Sequence, residues 1–442
     1  MLENLLILLI GITSAVVYRR ERSWIAPGVI FGLYWALFIT ISFIVVGRPS
    51  DGLTFALSWV LLAIVIFQIG TFCGSIMAGS RAQMPKIDDT SKPTWSHLRI
   101  VCIFLIVSSI VGVTLQFRSA GLGISLPSLG EIAAENRILF YKGLVRQSSM
   151  EKILLLFMYA SALFGGKLSR VSPFLFDKIL GISPLLIGWI GGTLYGSRMG
   201  ALFGTSFWLS AYLASWRAHN RRIKMVFNII NLVILAIGTF ILSFITMYLR
   251  YGDVSVEGSK AMSRIGQPFT FFWAFAEWLG GSGWETGLLS WGRQTFRGVL
   301  DDFGIIGYPY YPMWTPRGTT TLGTAFMDYI SDFGSIGALI WLFGWGVLGG
   351  YAYRKVSRRK EGYVPALAAV YTFVFTSIFF SYLRYKVNIL AFVVFWLYHV
   401  FDSASWRLKR HMVRVKHQEA MKVLPPSEVW GRFSSEVKEP QG

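Results

Sequence analysis

Cysteine is nearly absent. The 442 residues hold two, Cys73 and Cys102, both inside apolar runs, which excludes a disulfide framework and a cysteine metal site. Acid is scarce too: 23 Asp and Glu stand against 42 Lys and Arg, a formal net charge of +19. No folded basic domain accompanies that excess, so nucleic acid is not the partner it implies. A cleavable leader is not evident either. The first apolar run, Leu5 to Val17, follows Glu3 rather than basic residues and reads as a span. No carboxylate cluster has divalent-metal spacing; Asp301 and Asp302 are adjacent, and such pairs are usually solvated.

Apolar sequence is what the chain has in quantity. Hydrophobic residues make up 54% and aromatics 16%, with mean hydropathy +0.52. A soluble domain has nowhere to hide that surface, so the fold class is all-α and polytopic in a membrane. Eleven runs reach, or nearly reach, the length that crosses a ~30 Å hydrocarbon core. They lie near 4–17, 25–47, 53–77, 98–116, 152–168, 179–196, 199–216, 225–248, 335–353, 364–382 and 388–402. The sixth and seventh are separated only by Ser197 and Arg198 and form a tight hairpin. The chain thus divides into spans one to eight (1–248), a large loop with short or re-entrant helices (249–334), spans nine to eleven (335–402) and a basic tail (403–442).

Orientation follows from where Lys and Arg fall between spans. Alternate connections carry Arg19, Arg20 and Arg22; Arg81, Lys86, Lys92 and Arg99; Lys167, Arg170 and Lys178; Arg217, Arg221, Arg222 and Lys224; then Arg354, Lys355, Arg358, Arg359 and Lys360. The tail, with RLKRHMVRVKH from Arg407 to His417, adds more and suits anionic headgroups as a solvated flank. That side is cytoplasmic, which puts the N-terminus outside and the C-terminus inside.

The outside face holds two long connections, near 117–151 and 249–334. The second exceeds ordinary structureless loops and should be folded. Within it Pro268 to Gly281, PFTFFWAFAEWLGG, is apolar but too short to span easily, and fits an interfacial or re-entrant helix. The outside basic residues run against the positive-inside bias. They include Arg137, Arg198, Arg250, Arg264, Arg293, Arg297, Arg317 and Arg384. Arginine suits planar, bidentate recognition of phosphate or carboxylate; partnership with outside acids such as Glu277, Asp301, Asp302, Asp328 and Asp332 is the alternative use. Arg198 has no acid near it in sequence. The densest polar stretch is Trp314 to Gly337, WTPRGTTTLGTAFMDYISDFGSIG, just before a helix expected to begin near Ser335. Polar groups crowded beside a bilayer usually serve a substrate, because each is costly to desolvate.

These two places carry a family resemblance. GSRMGAL, Gly196 to Leu202, resembles the glycine–serine–arginine turn of bacterial polysaccharide polymerases and O-antigen ligases. GTAFMDYISDFGSIG, Gly323 to Gly337, resembles the end of the large periplasmic loop in the oligosaccharide repeat-unit polymerases, the Wzy-type O-antigen polymerases. The span number and the single dominant outside loop are similar as well.

The resemblance implies a multi-pass glycosyltransferase of the GT-C type in the bacterial inner membrane, independent of metal and without cofactor. Its substrates would be undecaprenyl-pyrophosphate-linked glycans, and a chain-length regulator and a flippase its candidate partners. An acceptor hydroxyl attacks the donor's anomeric carbon and undecaprenyl pyrophosphate leaves. Charge gathers on the leaving group, so arginines belong beside it. Arg198 and Arg317 are the leading clamps, with Arg137, Arg250, Arg264, Arg293, Arg297, Arg384 and Tyr329 as further substrate-binding residues. His97, His219, His399, His411 and His417 all fall on or near the cytoplasmic side, a departure from the related ligases. A base must then come from Asp328, Asp332 or Glu277; Asp328 is favoured, since Asp332 can instead cap the helix near Ser335. The alternatives are an O-antigen ligase and a lipid-linked oligosaccharide flippase or transporter. A transporter would place charges or helix breaks at mid-membrane in corresponding halves, and no internal repeat is present.

The topology is directly testable. Reporter fusions at Ser259 and Ser357 should report opposite compartments, Ser259 outside. A periplasmic signal at Ser357 would overturn the orientation and remove Arg198 from the reaction side.

Overall fold

A computed structural model describes residues 2–48, 52–79, 95–119, 149–194, 199–219, 269–281, 289–305, 313–315, 318–320 and 323–402. Residues 1–395 form one compact unit and 396–442 a second, of which 396–402 are described and are helical. In the first unit the helices are α1 (Leu2–Glu21), α2 (Pro27–Val46), α3 (Leu53–Met77), α4 (Trp95–Ser119), α5 (Ser149–Val171), α6 (Leu175–Leu194) and α7 (Met199–His219). There follow α8 (Thr270–Gly280), α9 (Ala325–Ser357), α10 (Val364–Thr376) and α11 (386–395). One small β ribbon departs from an all-α chain: β1 (Met313–Thr315) pairs antiparallel with β2 (Gly318–Thr320), Trp314 opposite Thr319.

Among the described residues, α1, α2, α3, α9 and the stretch Ser96–Leu115 of α4 are long and apolar enough to cross a membrane. They leave Leu37, Ile44, Phe104 and Ile340 exposed, a costly surface in water and an ordinary one against lipid tails. The chain is a helical membrane protein. The expected span at 225–248 lies outside the described residues. The one expected at 364–382 is shorter than its hydropathy suggested. Its helix ends at Thr376, 13 residues long, or roughly 20 Å at the α-helical rise. The reason is visible at Ser381, whose amide N–H donates to the Asp328 carboxylate (2.9 Å) rather than to a preceding turn. The helix expected to start near Ser335 begins at Ala325 and is interrupted at Gly334 (φ 69°, ψ 172°).

Two helix groups make up the main unit. In one, α3 crosses α9 and is flanked by α1, α2 and α8; in the other, α4, α6 and α7 surround α5. α10 touches α7 as well as α9 and α2 and so joins them. The α3–α9 crossing is glycine-made. A Cβ at Gly70 would sit 2.4 Å from the Phe343 carbonyl oxygen, one at Gly74 2.0 Å from that of Val347. In return a Cβ at Gly346 would meet the Phe67 oxygen at 2.3 Å, and one at Gly350 the Thr71 oxygen at 2.0 Å. Each helix carries two glycines one turn apart, and hydrogen alone fits between the backbones. In a bilayer, where apolar side chains gain nothing by leaving lipid for protein, such contact is a main source of helix association.

The helix ends that carry the basic clusters meet in space. Arg354 pairs with Glu21 at 3.2 Å, and the Arg358 guanidinium donates to the Ala78 and Gly79 carbonyls. Arg20 lies 3.7 Å over the Phe72 ring. In the second group Arg99 makes a two-pronged contact with Asp177, at 2.6 and 2.8 Å.

Overpacking the crossing should therefore be severe. Gly74→Ala and Gly350→Ala are each expected to destabilise by about 1–3 kcal/mol or more, read as a lower thermal midpoint in detergent. Gly344→Ala, on the same helix with nothing within 4 Å of its would-be Cβ, should be neutral or stabilising by about 0.5–1 kcal/mol.

Candidate functional site

The break at Gly334 separates a nine-residue buried helix from the long membrane-crossing part of α9. Ala325, Phe326, Met327, Asp328, Tyr329, Ile330 and Asp332 are all buried. Aromatic packing fixes this short helix. Phe326 stacks on Trp35 (4.6 Å between centroids, 11° between planes) and lies 4.8 Å from Trp59. Tyr329 stacks on Phe373 at 5.9 Å, and Phe373 in turn on Trp345 at 4.7 Å. Its first amide, from Ala325, donates to the Ser377 carbonyl (2.9 Å), while the Trp35 indole N–H donates to the Ser377 hydroxyl (2.9 Å). The neighbouring α8 is the short apolar helix expected at Pro268 to Gly281. It packs into the bundle: Phe271, Phe272, Phe275 and Leu279 are enclosed, and Phe275 lies 5.9 Å from Trp59.

The two aspartates of the motif do different work. Asp332 accepts from the Ser290 hydroxyl, from the Gln294 amide at 3.0 Å and from the Thr295 amide at 2.6 Å. The cap expected near Ser335 is not its role: the amides it accepts from are those of 294 and 295, in the turn that precedes Arg297 and far away in sequence. Two backbone bonds reinforce the tether, Ser290 N–H to the Ser331 carbonyl and Trp291 N–H to the Asp332 carbonyl, each 3.0 Å. Asp328 accepts from the Ser381 amide, and its other oxygen lies 3.7 Å from an Arg384 guanidinium nitrogen. Both partners are enclosed, with side-chain exposures of 1% and 11%.

Asp328, Asp332, Tyr329 and Arg384, which the sequence proposed separately, thus share one neighbourhood. Arg293 and Arg297 sit on the segment that Asp332 tethers. A single helical turn, Arg297–Leu300, lies against the Arg384 loop: a Cβ at Gly298 would come within 2.8 Å of both the Arg384 oxygen and the Lys386 nitrogen. Lys386 closes the contact by pairing with Asp302 at 2.5 Å, and Arg297 lies 3.9 Å from Asp301. The adjacent acids are therefore ion-pair partners, and among the described residues no group of three or more His, Cys, Asp or Glu is placed to hold a metal. Glu277 accepts from the Trp273 indole at 2.7 Å on its own helix. Arg137, Arg198, Arg250, Arg264 and Arg317 lie outside the described residues.

Sequence reasoning missed Ser290, Ser381, Gly298 and Lys386. Lys386 had a signal: with Arg384 it is a charge doublet inside an otherwise apolar stretch. Ser290 and Ser381 had none, because their roles come from partners 42 and 53 residues away. No protein-family model, curated protein or solved structure matches the chain.

The tether makes a mechanical forecast. Asp332→Ala strips an acceptor from three donors, two of them backbone amides, each costing about 1–3 kcal/mol if left unsatisfied in a buried place. We expect faster proteolytic nicking between 289 and 305 and a lower thermal midpoint. Ser290→Ala, which removes one donor and leaves the amides bonded, should give a smaller effect.

Proposed function

We propose that the chain is a polysaccharide polymerase of the bacterial inner membrane, joining repeat units carried on undecaprenyl pyrophosphate. The observation that carries this reading is the enclosed Asp328–Arg384 pair, set beside a loop bearing Arg293 and Arg297, with Lys386 on the Arg384 segment. Buried charge at the edge of an apolar bundle is expensive and tends to mark a binding place for charge. A guanidinium held by a carboxylate is preorganised for phosphate oxygens and needs little further ordering when the ligand arrives. In this reading Arg384 and Arg297 bind the pyrophosphate together with Arg198 and Arg317, and Arg137, Arg250, Arg264 and Arg293 are further substrate-binding residues.

The chemistry asked of these residues is leaving-group stabilisation. The acceptor hydroxyl oxygen forms a bond to the anomeric carbon. The bond from that carbon to the phosphate oxygen breaks, its electron pair leaves on the pyrophosphate, and the hydroxyl proton passes to solvent. We assign Asp328 to holding Arg384 rather than to taking that proton. One of its oxygens accepts from the Ser381 amide and the other lies beside the Arg384 guanidinium. Asp332 serves the tether, and Tyr329 the aromatic floor beneath the pair.

The test is a surface-polysaccharide gel of cells carrying variants, with protein level measured in parallel. Arg384→Ala should abolish the ladder while leaving the single-repeat band. Loss of one charge-assisted contact corresponds to about 1.5–3 kcal/mol, or roughly 10- to 100-fold in rate. Arg384→Lys should restore little, because an ammonium cannot reproduce a planar fork. With purified protein and lipid-linked repeat units, Asp328→Asn should lower turnover without displacing its pH dependence, since the residue is not the proton acceptor. A normal ladder from Arg384→Ala would sink the assignment. Loss of the single-repeat band as well would point to a flippase or ligase.

A further inference from the structure

A second feature lies on α1 and α2, apart from the residues just discussed. Near the α1 start and the α2 end the two helices bound a cavity of about 530 Å³ lined by Asn4, Ile7, Leu8, Phe43, Ile44 and Arg48, with Thr40 below. The volume is that of a ligand pocket, which ordinarily runs about 300–1,000 Å³. Its walls are apolar and face outward: Leu8 is 59% exposed and Ile44 78%. α1 is also the least enclosed of the membrane-crossing helices, with 17% of its apolar window buried against 56% for α3. The groove opens on the outward face of α1 and α2, the side an apolar helix turns to lipid.

Its mouth is polar and carries both signs of charge. Gly47 takes φ 94° and ψ −173°, a conformation only glycine adopts readily, and the chain turns there so that Arg48 reaches α1. The Arg48 guanidinium donates to the Asn4 side-chain oxygen at 2.9 Å and to Glu3 at 3.3 Å, and lies 5.6 Å from the Phe43 ring centre. Both charged side chains keep access to the interface, Arg48 being 50% and Glu3 28% exposed.

We propose that this groove binds one membrane phospholipid with a phosphoethanolamine headgroup, its acyl chain between α1 and α2, its phosphate on Arg48 and its ammonium on Glu3. The pairing of charges selects the occupant. A net-anionic headgroup would gain Arg48 but meet the Glu3 carboxylate beside it. A zwitterion places an opposite charge on each residue. A choline headgroup carries the same charges, but its quaternary nitrogen has no N–H to donate to Glu3, whereas a primary ammonium donates a charge-assisted hydrogen bond. The site does not depend on the glycosyltransferase reading.

Native mass spectrometry of the intact protein in nonionic detergent tests it. Phosphatidylethanolamine, phosphatidylglycerol and phosphatidylcholine with identical chains are titrated separately. The ethanolamine lipid should bind about tenfold more tightly than either of the others, the worth of one charge-assisted hydrogen bond. Arg48→Ala should lower its affinity by about tenfold on the same ground. Glu3→Gln should erase its advantage over phosphatidylglycerol, and Ile44→Trp, which places an indole in the groove, should weaken all three lipids. The wild-type comparison needs no variant and so stands whatever the variants do to folding. Equal or tighter binding of phosphatidylglycerol would replace the proposal with an anionic-lipid site. Equal binding of phosphatidylcholine would remove the role of Glu3, and unchanged binding in Ile44→Trp would place the lipid elsewhere.

Discussion

The crossing of α3 and α9 is the contact on which the rest of the described structure depends. Helices in lipid cannot be driven together by burying apolar side chains, since the tails are as apolar as leucine. What remains is close fit, and Gly70, Gly74, Gly346 and Gly350 supply it by letting each backbone rest on the other's carbonyls. A crossing held by backbone contact has little freedom to slide. It therefore fixes the height at which α9 must stop being a continuous helix.

That height is Gly334. Beyond it the chain is turned by a positive φ and continues as the short buried helix of Asp328 and Tyr329. Its stability comes from three directions. Trp35 and Trp59 hold one side through Phe326, Phe373 holds another through Tyr329, and Asp332 binds the segment at 290–295. The same arrangement explains why α10 is short. Its natural continuation is diverted at Ser377, which accepts from Ala325, and at Ser381, which donates to Asp328. Hydropathy favours carrying on; two specific hydrogen bonds override it.

The legible part of the sequence was whatever depends on local composition. The runs that became α2 and α3 were read nearly to the residue, because a hydrocarbon core demands length and apolarity and nothing subtler. The basic doublets and triplets at the ends of α1 and α9 were equally plain, and their ends do meet through Arg354 and Glu21. The illegible part depends on distant partners. DYISDFG announces two acids at helical spacing but not that one would tether Ser290, Gln294 and Thr295 upstream while the other faced Arg384 far downstream. The break at Gly334 was invisible for a related reason: an isolated glycine in an apolar helix is common in membranes, and only the surrounding packing forces this one into positive φ. The stacks of Phe326 on Trp35 and of Tyr329 on Phe373 likewise join residues far apart in sequence.

Asp332 and Asp328 also differ in what their burial explains. A carboxylate that accepts from a hydroxyl and two amides has returned most of what it lost in leaving water, and needs no role beyond holding a loop. The Asp328–Arg384 pair is another matter. Burying two ions costs several kcal/mol each, and a well-packed apolar pair of similar size is often no less stable. Stability alone therefore gives poor grounds for an arginine 11% exposed beside a carboxylate 1% exposed, set among the buried rings of Phe326, Tyr329 and Phe373. The guanidinium is supported where a tight, dry fold would have omitted it, and it lies against a loop that brings further cations. The planar, permanently charged guanidinium has the geometry that suits the oxygens of a phosphate, the role proposed for it.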